Sequence, residues 1–86
     1  MKEIIIDCSA IHTKEDLHRI FRDALSFPEC YGNNLDALHD CLTEMTGTLR
    51  LLNWETAENR LGDYGKRAKK AIAAAALRNE AFDLYL

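Results

Sequence analysis

Three short apolar segments stand at the start, the middle and the end of the chain, and helix-forming sequence separates them. The first, from Lys2 to Cys8, contains the run Ile4-Ile5-Ile6, and a continuous β-branched run is typical of a buried strand. The second, from Thr48 to Asn53, carries three leucines. The third alternates apolar with polar side chains from Phe82 to Leu86. Because helices lie between these strands, we expect the strands to be parallel.

Two helices are predicted before the middle strand. The first begins at a capping box formed by Thr13 and Asp16. Its apolar stripe has helical spacing and consists of Leu17, Ile20, Phe21, Ala24 and Leu25. The second is expected from Leu35 to Met45, and its inward face consists of Leu35, Leu38, Leu42 and Met45.

Two further helices are predicted after the middle strand. A short one is expected from Trp54 to Leu61, and an alanine-rich one from Tyr64 to Asn79 has the highest helix propensity in the chain. The sequence therefore predicts an α/β fold in which helices pack on a three-stranded parallel sheet, in the order β-α-α-β-α-α-β. With 86 residues, the chain is expected to form a single domain over residues 1–86.

Composition indicates which cellular compartment and which class of partner are expected. The chain has three cysteines, Cys8, Cys30 and Cys41, and no CxxC motif. Because an odd number of cysteines cannot all pair in disulfides, a reducing compartment is favoured. No apolar run approaches the roughly 20 residues of a membrane span, so we expect a cytoplasmic protein that does not contact a membrane. We also expect it to be monomeric when free and to use no cofactor. The net charge of −3 favours a basic protein over nucleic acid as partner.

Negative charge is concentrated between Asp23 and Leu49. This segment holds no Lys or Arg and five carboxylates, on Asp23, Glu29, Asp36, Asp40 and Glu44. On the predicted second helix, Asp36, Asp40 and Thr43 share one face, and the two aspartates repel each other at i, i+4. Charged helix faces are most often only solvated surface. The neighbouring turn Tyr31-Gly32-Asn33-Asn34 and the lack of a neutralising cation favour a role in binding something positive.

The run PECYGNNLDALHDCLT, residues 28–43, is similar to the signature of the barstar family, whose members are intracellular inhibitors of barnase-type (guanyl-type) ribonucleases. The resemblance extends weakly to Asp16-Leu17-His18 and to Trp54. It implies a barstar-like fold, no enzymatic activity, and a stoichiometric inhibitor whose second helix and preceding loop plug a cationic active site. The implied partner is a basic ribonuclease or a toxin ribonuclease domain, which this protein would neutralise as an immunity protein.

The same resemblance implies roles for individual residues. Asp40 would mimic the phosphate at the centre of the interface, Asp36 would pair with a second cation, and Tyr31 would pack at the interface. Backbone and polar contacts would come from Gly32, Asn34 and Thr43, and His39 and Glu44 complete the candidate partner-binding set.

The sequence departs from the family pattern at several aromatic positions. Cys30 and His39 stand where the family has Tyr and Trp, and Glu44-Met45 replaces a Gly-Trp pair. An acidic residue that the family uses late in its last long helix is missing, and Glu80 is the candidate replacement. These departures bear on the identity of the ribonuclease more than on the mode of binding.

Other readings of the sequence stay open. One is a non-inhibitory adaptor of the same fold that docks another basic protein, and another is a small enzyme that uses Cys30 and His39. A metal site at Asp36 and His39 is disfavoured, because a stable site needs three or four converging ligands and the helix offers these two with Asp40 as the only further candidate. The basic cluster at residues 66–70 is interpreted as a solvated face, with an RNA or partner patch as the alternative. His12 and His18 are interpreted as surface residues.

Overall fold

The computed structural model describes residues 3–86, which form three strands, four α-helices and one 3₁₀ turn. In chain order these are β1 (Glu3–Asp7), the 3₁₀ turn (Cys8–Ala10), α1 (Lys14–Leu25), α2 (Leu35–Thr43), β2 (Gly47–Leu52), α3 (Trp54–Leu61), α4 (Asp63–Arg78) and β3 (Phe82–Tyr85). The predicted order and the α/β class are confirmed. The 3₁₀ turn was not predicted, and Lys2, the expected first residue of the first strand, lies outside the described residues.

The three strands form one parallel sheet in the order β1-β2-β3. Ile4, Leu49 and Leu84 stand in register across it and turn towards the helices, where Leu49 is fully buried. The next row, Ile5, Arg50 and Tyr85, is exposed on the opposite face. The sheet therefore covers the core with one face only, and the core lies between that face and the helices.

Helix α1 begins as predicted, because the Thr13 hydroxyl accepts a hydrogen bond from the Asp16 amide while the Asp16 carboxylate accepts one from the Thr13 amide. Leu17 and Phe21 of its apolar stripe are fully buried. The expectation for Ala24 was wrong, since this residue is exposed. The inward face is instead completed by His18, which is buried.

Helix α2 is two residues shorter than predicted at its C-terminal end. The amides of Glu44 and Met45 donate to carbonyls three residues back, so the last turn tightens into 3₁₀ geometry. Asn79, just after α4, donates its side-chain amide to the carbonyls of Leu42 and Met45, at 3.1 and 2.6 Å. The C-terminus of α2 is thereby fixed to the end of α4.

The inward side chains of α2 anchor it as expected. Leu38 and Leu42 are fully buried, and Leu35 and Met45 pack against the core while remaining partly accessible. Helix α2 lies directly against α4. Within residues 3–86, no helix is long and apolar enough to cross a membrane.

A glycine allows α3 and α4 to approach closely. A Cβ atom placed on Gly65 of α4 would lie 2.7 Å from the carbonyl oxygen of Glu58 and 2.8 Å from its Cα atom. Both of these are backbone atoms of α3, which cannot swing aside as a side chain would. Gly65 is therefore required by the packing of the two helices.

We expect Gly65→Ala to destabilise the protein by about 1–3 kcal/mol through this clash, although alanine favours a helix by about 1 kcal/mol over glycine. Urea unfolding measures the change. Lys66→Ala, at the exposed neighbouring position, is the control and should stay within about 0.5 kcal/mol of wild type. A stabilised Gly65→Ala variant would contradict the packing argument.

Candidate functional site

The carboxylates of α2 face solvent without a basic partner. In the described part of the chain, no Lys or Arg nitrogen lies within 4.0 Å of the Asp36 or Asp40 carboxylate. The Asp40 side chain is 85% exposed, and Nδ1 of the neighbouring His39 ring lies 3.7 Å from its carboxylate oxygen. The helix thus presents negative charge that the fold itself does not neutralise.

The loop before α2 is ordered by its own polar groups. The Asn34 side chain accepts a hydrogen bond from the Ala37 amide at 2.8 Å, which caps the helix N-terminus. The same side chain donates to the Gly32 carbonyl at 3.3 Å. A Cβ on Gly32 would lie 3.0 Å from the Asn34 amide nitrogen, so a larger residue there would require the Asn34 side chain to shift.

The interpretation of His18 as a surface residue was wrong. Its side chain is 2% exposed, and its two ring nitrogens contact two tyrosine hydroxyls: Nδ1 lies 2.6 Å from that of Tyr31, and Nε2 lies 2.6 Å from that of Tyr64. Tyr31 belongs to the loop before α2, and Tyr64 to the first turn of α4. The imidazole therefore ties three separate parts of the chain together.

Tyr31 lies mainly inside the protein. It is 6% exposed, and its ring packs on that of Phe27 with centroids 4.9 Å apart. Burial raises the pKa of its hydroxyl well above the ordinary value, so the group keeps its proton. The structure thus gives Tyr31 a clear role in fixing the loop, and its contact with a partner remains a prediction.

Burial lowers the pKa of His18 below its ordinary value of 6.5, while the nearby charges of Glu15 and Lys14 act in opposite directions. A neutral imidazole has one donor and one acceptor nitrogen. The more buried Tyr31 hydroxyl needs an acceptor for its proton, which favours donation to Nδ1 and leaves Nε2–H to donate to Tyr64. A second ring proton would take that acceptor away from Tyr31, which adds to the penalty of burying a charge.

A groove of about 680 Å³ runs between α2 and α4. Asp36 and His39 line it from α2, and Tyr64, Arg67 and Lys70 line it from α4. Arg67 and Lys70 belong to the basic cluster at residues 66–70, which was interpreted as a solvated face. The packing of α4 against α2 brings them beside the acidic helix, an arrangement that required knowledge of which helices are neighbours.

The remaining candidates hold simpler positions. The Thr43 hydroxyl donates to the Asp40 carbonyl at 2.7 Å, so its oxygen alone is free to accept from a partner. Glu44 is the exposed C-cap residue of α2. Glu80 is exposed just after α4.

The thiols and the acidic groups bear on two of the alternatives from the sequence, a Cys/His pair and a metal site. All three cysteines are free, burial raises the pKa of Cys8 to about 12, and burial together with nearby carboxylates raises that of Cys41. Among residues 3–86, no hydrogen bond joins Cys30 to His39, and no group of three His, Cys, Asp or Glu side chains is placed to hold a metal ion. The postulated Cys/His pair therefore has no geometric support.

Comparison with known proteins agrees with the fold and with the sequence signature. A family model described as Barstar (barnase inhibitor) matches residues 1–86. The chain belongs to the barstar family. It is also 42% identical over 78 residues to a protein of Bacillus subtilis (strain 168) named "Putative ribonuclease inhibitor YrdF". That match covers 87% of this chain and 86% of the relative. The resemblance inferred from residues 28–43 is confirmed.

The buried imidazole of this barstar-family protein makes its stability depend on pH. The unfolded chain takes up a proton on His18 near its ordinary pKa of 6.5, whereas the folded protein resists it. The free energy of unfolding should thus keep its highest value above that pH and decrease as the pH falls below it. His18→Gln should flatten this decline, as measured by urea unfolding at about pH 7.5 and about pH 5.5.

His12→Gln is the matched control, because His12 is exposed. This variant should keep the wild-type decline. Equal flattening by both substitutions would contradict the assignment to the buried ring.

Proposed function

We propose that this protein inhibits a basic ribonuclease of the barnase type by placing α2 and the preceding loop in its active-site cleft. Support comes from membership of the barstar family and from a relative named as a ribonuclease inhibitor. The observation that carries the proposal is the Asp40 carboxylate, which is exposed and has no Lys or Arg partner within the described residues.

The chemistry of the target explains why carboxylates serve this purpose. A ribonuclease that cleaves RNA needs cationic groups to hold the phosphate and to stabilise the charge that develops in the transition state. A carboxylate on a rigid helix can occupy the same position and offers no bond to cleave. We assign this position to Asp40, and we propose that Asp36 forms an ion pair with a second cation of the cleft.

Rigidity of α2 supports the proposal because it limits the ordering penalty of binding. The helix is held by Leu38 and Leu42 in the core, by the Asn34 cap at its start and by Asn79 at its end. The acidic face is thus presented in a fixed orientation before the partner arrives.

The proposed contact surface extends beyond the two aspartates. Its centre is Asp40, and the other members are Tyr31, Gly32, Asn34, Asp36, His39, Thr43 and Glu44. The protein is not an enzyme in this proposal. It acts on a ribonuclease made in the same cell, in the cytoplasm, where the free thiols of its three cysteines stay reduced.

Titration of barnase with the purified protein tests the proposal, and Asp40→Ala is the decisive variant. Removal of the carboxylate relieves repulsion with Asp36 and raises helix propensity, so the free protein should gain from a few tenths to about 1 kcal/mol of stability. The same change should abolish tight inhibition, because it leaves the cations of the cleft unpaired. A thermal melt and an inhibition titration measure both effects.

Two control variants test whether the charge of Asp40 and its position on α2 both matter. Asp40→Asn keeps the shape of the side chain and should also lose inhibition. Glu55→Ala removes an equal charge from an exposed position on α3 and should inhibit normally. An Asp40→Ala variant that unfolds more easily and inhibits like wild type would make Asp40 a structural residue and reject the proposal.

The acidic face should also steer the encounter. Salt shortens the reach of electrostatic attraction to about 10 Å at 0.1 M ionic strength and about 3 Å at 1 M. The association rate with barnase, followed by stopped-flow fluorescence, should therefore fall by about tenfold or more between low and high salt. The dissociation rate should change less, and an association rate indifferent to salt would contradict steering by this face.

A further inference from the structure

Positive charge borders the acidic helix along one side. Across the groove from Asp36 and His39, α4 contributes Arg67 and Lys70. Both are exposed, and in the described part of the chain neither has a carboxylate oxygen within 4.0 Å. We call Arg67 and Lys70 the cationic rim. Opposite charges thus face each other across the groove without forming an ion pair.

The cationic rim is supported by the buried network. The Arg67 guanidinium lies 5.4 Å from the centre of the Tyr64 ring, a distance at which a cation is attracted to an aromatic face. The Tyr64 hydroxyl is in turn fixed by His18. Arg67 therefore rests on a ring that is itself held by the core, and this reduces the freedom it would lose on binding.

A uniformly cationic partner would not suit this surface. When α2 enters a cationic cleft of the partner, the groove and the cationic rim on α4 come to lie beside the edge of that cleft. Lys or Arg at that place in the partner would repel Arg67 and Lys70, and like charges in an interface disfavour the partner that carries them. A carboxylate at that place would instead pair with both, and the planar Arg67 group could bind it with two hydrogen bonds.

We propose that the groove between α2 and α4 receives an acidic side chain that flanks the cationic cleft of the target ribonuclease. The proposal rests on the inhibitory function proposed above and adds a second, oppositely charged contact to it. The acidic helix matches the cleft, and the cationic rim selects among ribonucleases by what borders that cleft.

Neighbouring lysines on α4 provide a matched test. Lys70→Glu reverses a charge on the rim, and Lys69→Glu makes the same change at the next residue, which lines a different groove with Trp54 and Glu58. The probe is the ribonuclease that the wild-type protein inhibits in the titration above, with barnase tried first. We expect Lys70→Glu to raise the inhibition constant by about tenfold or more, as for a charge pair lost and replaced by repulsion. Lys69→Glu should stay within about threefold.

The sign of the change distinguishes the proposal from simple attraction by negative charge. Both substitutions make the protein more acidic by the same amount. If the partner were basic throughout, Lys70→Glu would bind more tightly than wild type, and that result would overturn the proposal. Equal effects at the two positions would overturn it as well. Thermal melts of both variants verify that the fold is retained, and Arg67→Gln should weaken inhibition in the same direction as Lys70→Glu.

Failure of this inference can be told apart from failure of the proposed function. Loss of inhibition in Asp40→Ala with no loss in Lys70→Glu would keep the inhibitor assignment and reject the acidic flank. A wild-type protein that inhibits no basic ribonuclease would reject both.

Discussion

The placement of the candidate site depends on one buried imidazole. His18 of α1 joins the hydroxyls of Tyr31 and Tyr64, which lie 13 and 46 residues further along the chain. An apolar side chain in its place would leave two hydroxyls in or near the core without a partner, and such groups are costly to bury. The interaction therefore sets where the loop before α2 and the first turn of α4 can lie. The two walls of the groove are thereby placed, because α2 follows the Tyr31 loop and α4 begins beside Tyr64.

With its ends and its inner face fixed, α2 can carry two like charges that repel each other. Asp36 and Asp40 repel each other by a few tenths of a kcal/mol, whereas burial of Leu38 and Leu42 each contributes about 1.5–3 kcal/mol. The packing outweighs the repulsion several times over. A face with unpaired charge is thus tolerated by the fold, which agrees with the binding role proposed for it.

The parts of the molecule that could be predicted from sequence are those set by neighbours along the chain. Strand composition, the capping box at Thr13, the helical spacing of apolar residues and the alanine-rich run predicted the α-helices and strands of residues 3–86. The acidic residues of the candidate site were predictable because most of them lie on one helix. His18 was misread because it stands at the border of the apolar stripe, three residues before Phe21. Its partners become visible only when α1, the loop and α4 are brought together. The position of Arg67 and Lys70 opposite the acidic helix could not be predicted for the same reason.

Net charge alone describes this protein poorly. The value of −3 favours a basic partner, but charges separated by more than about 8–10 Å are largely screened at physiological salt. At contact, however, each side chain meets its own neighbour, and the acidic helix and the cationic rim have opposite requirements. In the proposed complex, the acidic helix would attract basic proteins as they approach, while the groove between α2 and α4 would set the short-range condition that separates one cationic cleft from another.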